Sequence, residues 1–493
     1  TLSGGARLDL TDAPLKYPGL KPWEILLSEA QERMTVAVPP ESLSSFLSLA
    51  KKRNVLATHL GEFTDTGFFD VLYREETVLY LSLDWLHNGC PTLQLNATWP
   101  DCRSTEPTPV ATDLEVPFCQ ALIDLIGSPN IRISPDLMRR YDHEVKGLSV
   151  IKPLIGCHRN VAADAAAMRV SHDEATCVLV SDAYLPTLSD IDPGYMTDYV
   201  FDLAMRRLVA SGAKLEQIAA LDNFCWPDPI ESTRNPDGQV KLAGLVRSCR
   251  RLAAWINASR IPLISGKDSM KNDAWINGAK VSIPPTLLVT MVGWVDSSDA
   301  LCDLRFISEG ASIFLIGDMS DDLAGSAYSE QVEDRSDRSA LLRNMVPPEV
   351  QQDWPKRSVA TASFIESLLS ARQEPGMYNL VEAIHAPGRG GIAIGLAKMA
   401  IASGLGIKLE ASDMKAATLF SECLGQYLVV VPADKLDHFS RIVAKLTQTT
   451  SVSAQRIAQT TEAPYFDMCS LNGVRKVEDR VAINTLEQQY TCR

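Results

Sequence analysis

Between about residues 150 and 298 the chain switches repeatedly between short apolar runs and longer stretches in which apolar residues return every three or four positions. That switching predicts alternating strands and helices. Strands are expected at 175–181, 217–221, 262–265 and 286–295, with helices at 198–210 and 239–256 between them. Beyond about 299 the pattern predicts a strand at 312–316, helices near 358–371 and 391–403, and a polar tail after Gly473. Residues 98–149 read as a connector. It is Pro- and Thr-rich at first and helical around 114–126, and then comes Ser134-Pro135, a pairing suited to an N-cap and a first helical turn.

One segment occurs twice. Residues 27–41 lie over 420–434 at a constant offset of 393, with Ser28-Glu29 on Ser421-Glu422 and Val36-Ala37-Val38-Pro39 on Val429-Val430-Val431-Pro432. The match extends through Leu43 on Leu436 and Phe46 on Phe439, and upstream through Gly5 on Gly406 and Leu8 on Leu409. Both copies read as strand, Pro-initiated helix, strand, with Thr35-Val36-Ala37-Val38 as a strand of the first. The second copy follows about a hundred residues of its own domain and the first almost none, so the chain is expected to start inside a domain, as a fragment of a longer protein.

Composition narrows the class. The 493 residues are 46% hydrophobic and 22% charged, as in ordinary globular proteins. Lys plus Arg number 47 against 61 Asp plus Glu, a net charge of −14 without a dense basic stripe, which argues against nucleic acid and anionic membranes as partners. Apolar runs stop short of the roughly 18 residues of a membrane span, so a cytoplasmic protein is expected. Eleven scattered cysteines without a C-x-x-C pair read as reduced, mostly buried thiols, and seven histidines without metal spacing argue against zinc.

Candidate chemistry gathers at a few places. Asp182, Asp222 and Asp268 are expected just after apolar strands, where open sheets place ligand groups, and Asn223 and Ser269 add oxygen donors beside two of them. Such donors suit Mg²⁺; turn capping suits the same residues. Lys267 follows Gly266, but Ile261 and Asp268 stand where a P-loop needs Gly and Ser or Thr, so Lys267 is left as a point charge for a phosphate. The stretch His385-Ala386-Pro387-Gly388-Arg389-Gly390-Gly391 runs into a helix and offers an anion seat, or simply a loop closing tightly on that helix. The polar cluster Ser28-Glu29-Ala30-Gln31-Glu32-Arg33 is richer in binding groups than its second-copy counterpart.

Five separated motifs now point one way: Trp23-Glu24-Ile25-Leu26-Leu27-Ser28-Glu29-Ala30-Gln31-Glu32-Arg33-Met34, Tyr141-Asp142-His143-Glu144-Val145, Leu221-Asp222-Asn223-Phe224-Cys225-Trp226, Gly266-Lys267-Asp268-Ser269-Met270 and Ile283-Pro284-Pro285-Thr286. Together they resemble the synthetase subunit of phosphoribosylformylglycinamidine synthase, of purine biosynthesis. The resemblance implies an α/β fold in which an AIR synthase-like N-terminal domain is flanked by two AIR synthase C-terminal-like domains, the first incomplete. The implied boundaries are 1–97, 98–149 as connector, 150–298 and 299–493. It further implies a ligase that uses ATP and Mg²⁺ to convert formylglycinamide ribonucleotide to the amidine, with ammonia from a glutaminase domain or subunit and the catalytic residues in a missing upstream half.

Residue by residue, the resemblance assigns Glu29, Ala30 and Gln31 to the ribonucleotide. It assigns Asp164 to Mg²⁺ at a second nucleotide site, with Asp222, Asn223, Lys267 and Asp268 as its floor and His385, Gly388 and Arg389 nearby. The chain also departs from the family pattern. Leu203 and Arg207 stand where relatives place Glu and Asn ligands, and 385–391 departs from His-Asp-x-Ser-Asp-Gly-Gly. A degenerate second site is therefore expected, with Arg207 and Arg389 replacing the metal's charge. The alternatives are a non-catalytic scaffold and an ATP-dependent kinase of the same superfold.

Overall fold

The computed structural model describes residues 3–28, 33–100, 117–323, 325–332, 353–372, 380–410, 415–468 and 479–492. The chain divides into two compact units, Thr1–Leu95 and Asn96–Arg493. No helix among the described residues is long and apolar enough to cross a membrane.

The smaller unit runs β1 (Gly5–Asp9), α1 (Pro22–Leu27), α2 (Leu43–Lys52), β2 (Gly61–Thr64), β3 (Phe68–Tyr73), β4 (Glu76–Ser82) and α3 (Leu83–Asn88). Its sheet has the order β2-β1-β3-β4, with β1 and β3 parallel and the other pairs antiparallel. Among its described residues, Leu10, Ile25 and Val71 form the buried core.

The larger unit begins with α4 (Phe118–Ile126) and α5 (Pro135–Met138). Strands β5 (Ser149–Ile151), β6 (Leu154–Ile155), β7 (Val161–Ala162), β8 (Ala166–Arg169) and β9 (Cys177–Tyr184) follow, then α6 (Pro193–Ala210), β10 (Ile218–Cys225) and α7 (Gly238–Ser259). Next come β11 (Leu263–Ser269), the hairpin of β12 (Asp273–Ile276) and β13 (Ala279–Ser282), and β14 (Thr286–Val295). A six-stranded sheet, ordered β11-β10-β14-β9-β8-β5, has α6 packed on β9 and β14. Alternation sets its faces: Leu179, Ala220, Leu287, Val289 and Met291 are buried, whereas Val180, Tyr184 and Trp294 are exposed. Helix α6 starts where it does because Pro193 opens its first turn and the Asp192 carboxylate accepts the Gly194 N–H at 2.7 Å.

The remainder comprises β15 (Ser312–Ile316), α8 (Ala327–Val332), α9 (Trp354–Ala371), β16 (Ala383–His385), α10 (Gly391–Ser403), β17 (Gly406–Leu409), α11 (Ala416–Phe420), β18 (Tyr427–Val431), α12 (Leu436–Thr450), β19 (Ala454–Thr461), β20 (Tyr465–Met468), β21 (Asp479–Ala482) and α13 (Ile483–Thr491). Seven strands are ordered β16-β18-β15-β19-β17-β20-β21. Helix α10 is apolar almost all round and buried, with α4 and α13 packed on it.

The repeat is structural as well as sequential. The order β2-β1-β3-β4 reproduces β19-β17-β20-β21 strand for strand, with the parallel pair in the same place and Gly5↔Thr64 matching Gly406↔Thr461. Residues 35–38, expected as a strand, form none. Their counterpart β18 lies between β15 and β16 and is buried along its whole length, whereas no described strand of the smaller unit flanks 35–38. Without a ladder to satisfy them, the backbone groups stay with solvent, and Met34 is 90% exposed.

Other expectations shift for local reasons. Strands β9, β10 and β11 continue to Tyr184, Cys225 and Ser269, so Asp182, Asp222 and Asp268 lie within strands rather than after them. The expected tail after Gly473 contains β21 and α13, because Ile483, Leu486 and Tyr490 recur at helical spacing and bury one face. Cys119, Cys177 and Cys302 are buried, but Cys90, Cys157, Cys249 and Cys492 are exposed.

Candidate functional site

Three elements of the larger unit converge on one buried carboxylate. The β6–β7 hairpin delivers Asp164, β16 ends in His385, and α10, packed on β7, carries Lys398. The His385 Nδ1–H donates to Asp164 Oδ2 at 2.9 Å, and the Ala386 N–H reaches the same oxygen at 3.1 Å. Arg207, on α6, completes the group: its Nη1 donates to the Asp182 carbonyl at 2.5 Å, while its buried Nε has no hydrogen-bond partner.

Charge follows from this geometry. Burial favours a neutral Asp164, but His385, Lys398 and Arg207 outweigh it and hold the carboxyl below its ordinary range. Burial holds His385 below its ordinary value despite the carboxylate, so the pair carries one negative charge, on Asp164. Lys398 is pushed down to about 8 by burial and by the charge of Arg207, against the pull of Asp164.

The Gly-rich loop after His385 does form an anion seat, and the chain fills it itself. Glu422 Oε1 accepts the Gly390 and Ala327 N–H groups, each at 2.8 Å. Arg389 Nη1 donates to Glu422 Oε2 at 2.9 Å and to the Gly325 carbonyl at 2.8 Å, and its Nη2 lies 2.5 Å from Glu330. Gly391 has φ +65, and a Cβ there would sit 2.3 Å from the Ser421 carbonyl oxygen, so this close approach requires glycine. Gly388 packs on Leu203 of α6. Arg389, expected to supply charge to a ligand, is thus turned inward onto two carboxylates.

The expected floor divides. Asp222 pairs with Gly266, Asn223 with Lys267 and Phe224 with Asp268. Because side chains alternate across a strand, Asp222 and Asp268 share the face of the buried Phe224, and Asn223 and Lys267 point the other way. Burial and the charge of Asp268 raise the Asp222 carboxyl, and burial followed by both carboxylates raises the Cys249 thiol on α7. The four residues therefore form two pairs on opposite faces. Among the described residues no hydrogen bond or ion pair joins either pair to Asp164. Glu29, Ala30 and Gln31 lie outside the described residues.

Mg²⁺ takes oxygen ligands, usually one or two carboxylates with waters and phosphate. Around Asp164 the neighbours are an imidazole and two cations, and Leu203 and Arg207 stand where further ligands were expected. Among the described residues no three His, Cys, Asp or Glu side chains gather as a metal site. The donor set at Asp164 does not fit Mg²⁺.

Sequence reasoning missed Lys398 and Glu422. Lys398 was visible as the lone charge in Gly391–Ser403, and Glu422 as half of the Ser-Glu pair kept in both copies.

Comparison with known proteins bears on the whole arrangement. The family model "AIR synthase related protein, C-terminal domain" matches residues 2–74 and 308–468, one stretch in each copy of the repeat. The chain is 29% identical over 443 residues to phosphoribosylformylglycinamidine synthase subunit PurL of Methanothermobacter thermautotrophicus, covering 88% of this chain and 55% of that protein. Thermotoga maritima PurL complexed with ATP is similar at TM-score 0.55 and 19% identity, covering 93% of this chain and 59% of that one. The same protein complexed with FGAR is similar at TM-score 0.53 and 16% identity, covering 77% and 54%. The chain spans about half the length of the curated relatives it matches.

Proposed function

The chain is an AIR synthase-like protein related to PurL synthetase subunits, and on that premise we propose that it forms part of an enzyme converting formylglycinamide ribonucleotide to its amidine with ATP. The amide oxygen attacks the γ-phosphorus, ADP leaves, and ammonia then displaces phosphate from the iminophosphate. A glutaminase domain or subunit supplies the ammonia. The observation that carries this reading is the meeting of Asp164 and His385 at one buried point, between an α/β layer and a repeated domain of the AIR synthase type. The names of the relatives, and of a similar structure complexed with FGAR, support the substrate. Within this enzyme the Asp164 region is a second nucleotide site, and residues 29–31 belong to the ribonucleotide loop.

A second reading is favoured by one observation: Glu422 fills the Gly-rich seat, as expected of a chain that serves as scaffold. Calorimetric titration with formylglycinamide ribonucleotide and with ATP separates the readings. Ribonucleotide binding without turnover is the expected result. If neither ligand binds, the scaffold reading stands instead; turnover by this chain alone would mean that it is an autonomous enzyme.

A further inference from the structure

A cavity of about 110 Å³ lies where the turn from α6 into β10, the chain leaving β14 and the last two turns of α9 meet. It shares no lining residue with the Asp164 point or the Gly-rich loop. We propose that this cavity is a separate binding site for a small zwitterion of the α-amino acid class, with Glu366 and Asp296 receiving its ammonium and Lys214 its carboxylate.

The walls are built into the fold. Gly212 has φ +115, and a Cβ there would sit 2.7 Å from the Ala300 carbonyl oxygen, so only glycine lets the turn press this closely on the chain after β14. The Cys302 N–H donates to the Ser211 carbonyl at 3.3 Å, and Glu366 Oε1 accepts the Leu215 N–H. The three segments are therefore tied together without help from a ligand. The volume is far below the roughly 300–1,000 Å³ of pockets for drug-sized molecules, which excludes a nucleotide and asks for a ligand of few atoms.

The charged groups on these walls are not spent on one another. Beyond its bond to Leu215, the half-buried Glu366 has no hydrogen-bond or ion-pair partner among the described residues, and Lys214 and Asp296 have none. Burial raises the Glu366 carboxyl, against the pull of the Leu215 N–H and of Lys214 and with Glu216 adding to the rise. Two carboxylates and one ammonium thus line the same small space unpaired. A simple cation there would answer the carboxylates and meet repulsion from Lys214, and a simple anion would do the reverse. A zwitterion answers both signs at once, through charge-assisted hydrogen bonds at each end.

The test titrates the full chain with L-alanine by calorimetry, with ethylamine and propionate as probes that each keep one of its two charges. Saturable alanine binding, about tenfold or more tighter than either probe, is expected. Glu366→Gln keeps an oxygen for the Leu215 N–H, and should hold the thermal midpoint while weakening alanine by about tenfold or more. Lys214→Met should bring alanine down to the level of ethylamine; Lys214 is exposed, so this variant carries the test even if Glu366→Gln fails to fold. Absence of saturable alanine binding, ethylamine binding as tightly as alanine, or normal alanine binding by either folded variant overturns the proposal.

Discussion

Arg206→Met should destabilise the larger unit by about 3–5 kcal/mol, the usual result of stranding one member of a buried ion pair. Arg206 and Asp202 are both wholly inaccessible, one turn apart on α6, with Nε donating to Asp202 Oδ2 at 2.5 Å. The other end of the guanidinium donates to the Pro387 carbonyl at 2.9 Å and the Gln426 carbonyl at 2.8 Å. Asp202 Oδ1 accepts the Gly425 N–H at 3.1 Å and the Ser358 hydroxyl. One pair therefore ties α6 to the Gly-rich loop and to the turn before β18. Removing Arg206 leaves a buried carboxylate without its counter-charge and takes a donor from each of two carbonyls, whereas Asp202→Leu combined with Arg206→Met removes the charge from both sides and should cost less than the single change. Urea unfolding followed by fluorescence reads both. A single-variant loss below about 1 kcal/mol, the scale of an ordinary hydrogen bond, would show that the pair does not fasten α6.

How much of this was legible beforehand depended on whether a signal was local. Strand β14 and helix α10 were delimited at their observed ends, since each is an apolar run closed by Pro, Gly or Ser-rich punctuation. The repeat was legible because apolar spacing and Ser-Glu survive in both copies. Asp222 misled because a polar residue after four apolar ones looks like a strand end, and Asp268 because Ser265-Gly266-Lys267 before it look like one; hydrogen-bonded neighbours on both sides carry β10 through to Cys225, and β11 follows it to Ser269. Residues 35–38 misled in the opposite sense, for their pattern is that of a strand and the partners that make β18 one have no counterpart beside them. At the Asp164 cluster the sequence offered Asp164, His385 and Arg207 individually, but the inward turn of Arg389 depends on Glu330 and Glu422, which are distant in sequence. No periodicity encodes such a meeting.

Glu422→Ala should likewise cost about 3–5 kcal/mol, because a carboxylate with a single exit leaves three donors behind. The Gly390 and Ala327 N–H groups lose their acceptor, and Arg389 keeps Glu330 and the Gly325 carbonyl but loses one of its two carboxylates. Glu422→Gln retains an acceptor oxygen for the two backbone donors and should lose less. The Ala variant makes a sharper statement possible: it vacates a seat built of two N–H groups and a guanidinium, which a small carboxylate can re-enter. Formate should raise the thermal midpoint of Glu422→Ala in a concentration-dependent way, by mass action on the folded state, and should leave the parent protein almost unchanged. An equal response of both proteins to formate, or none in the variant, would mean that the loop collapses once Glu422 is gone. In that case Glu422 builds the seat rather than occupying it. The distinction bears on the repeat, since Glu29 holds the equivalent place in the first copy.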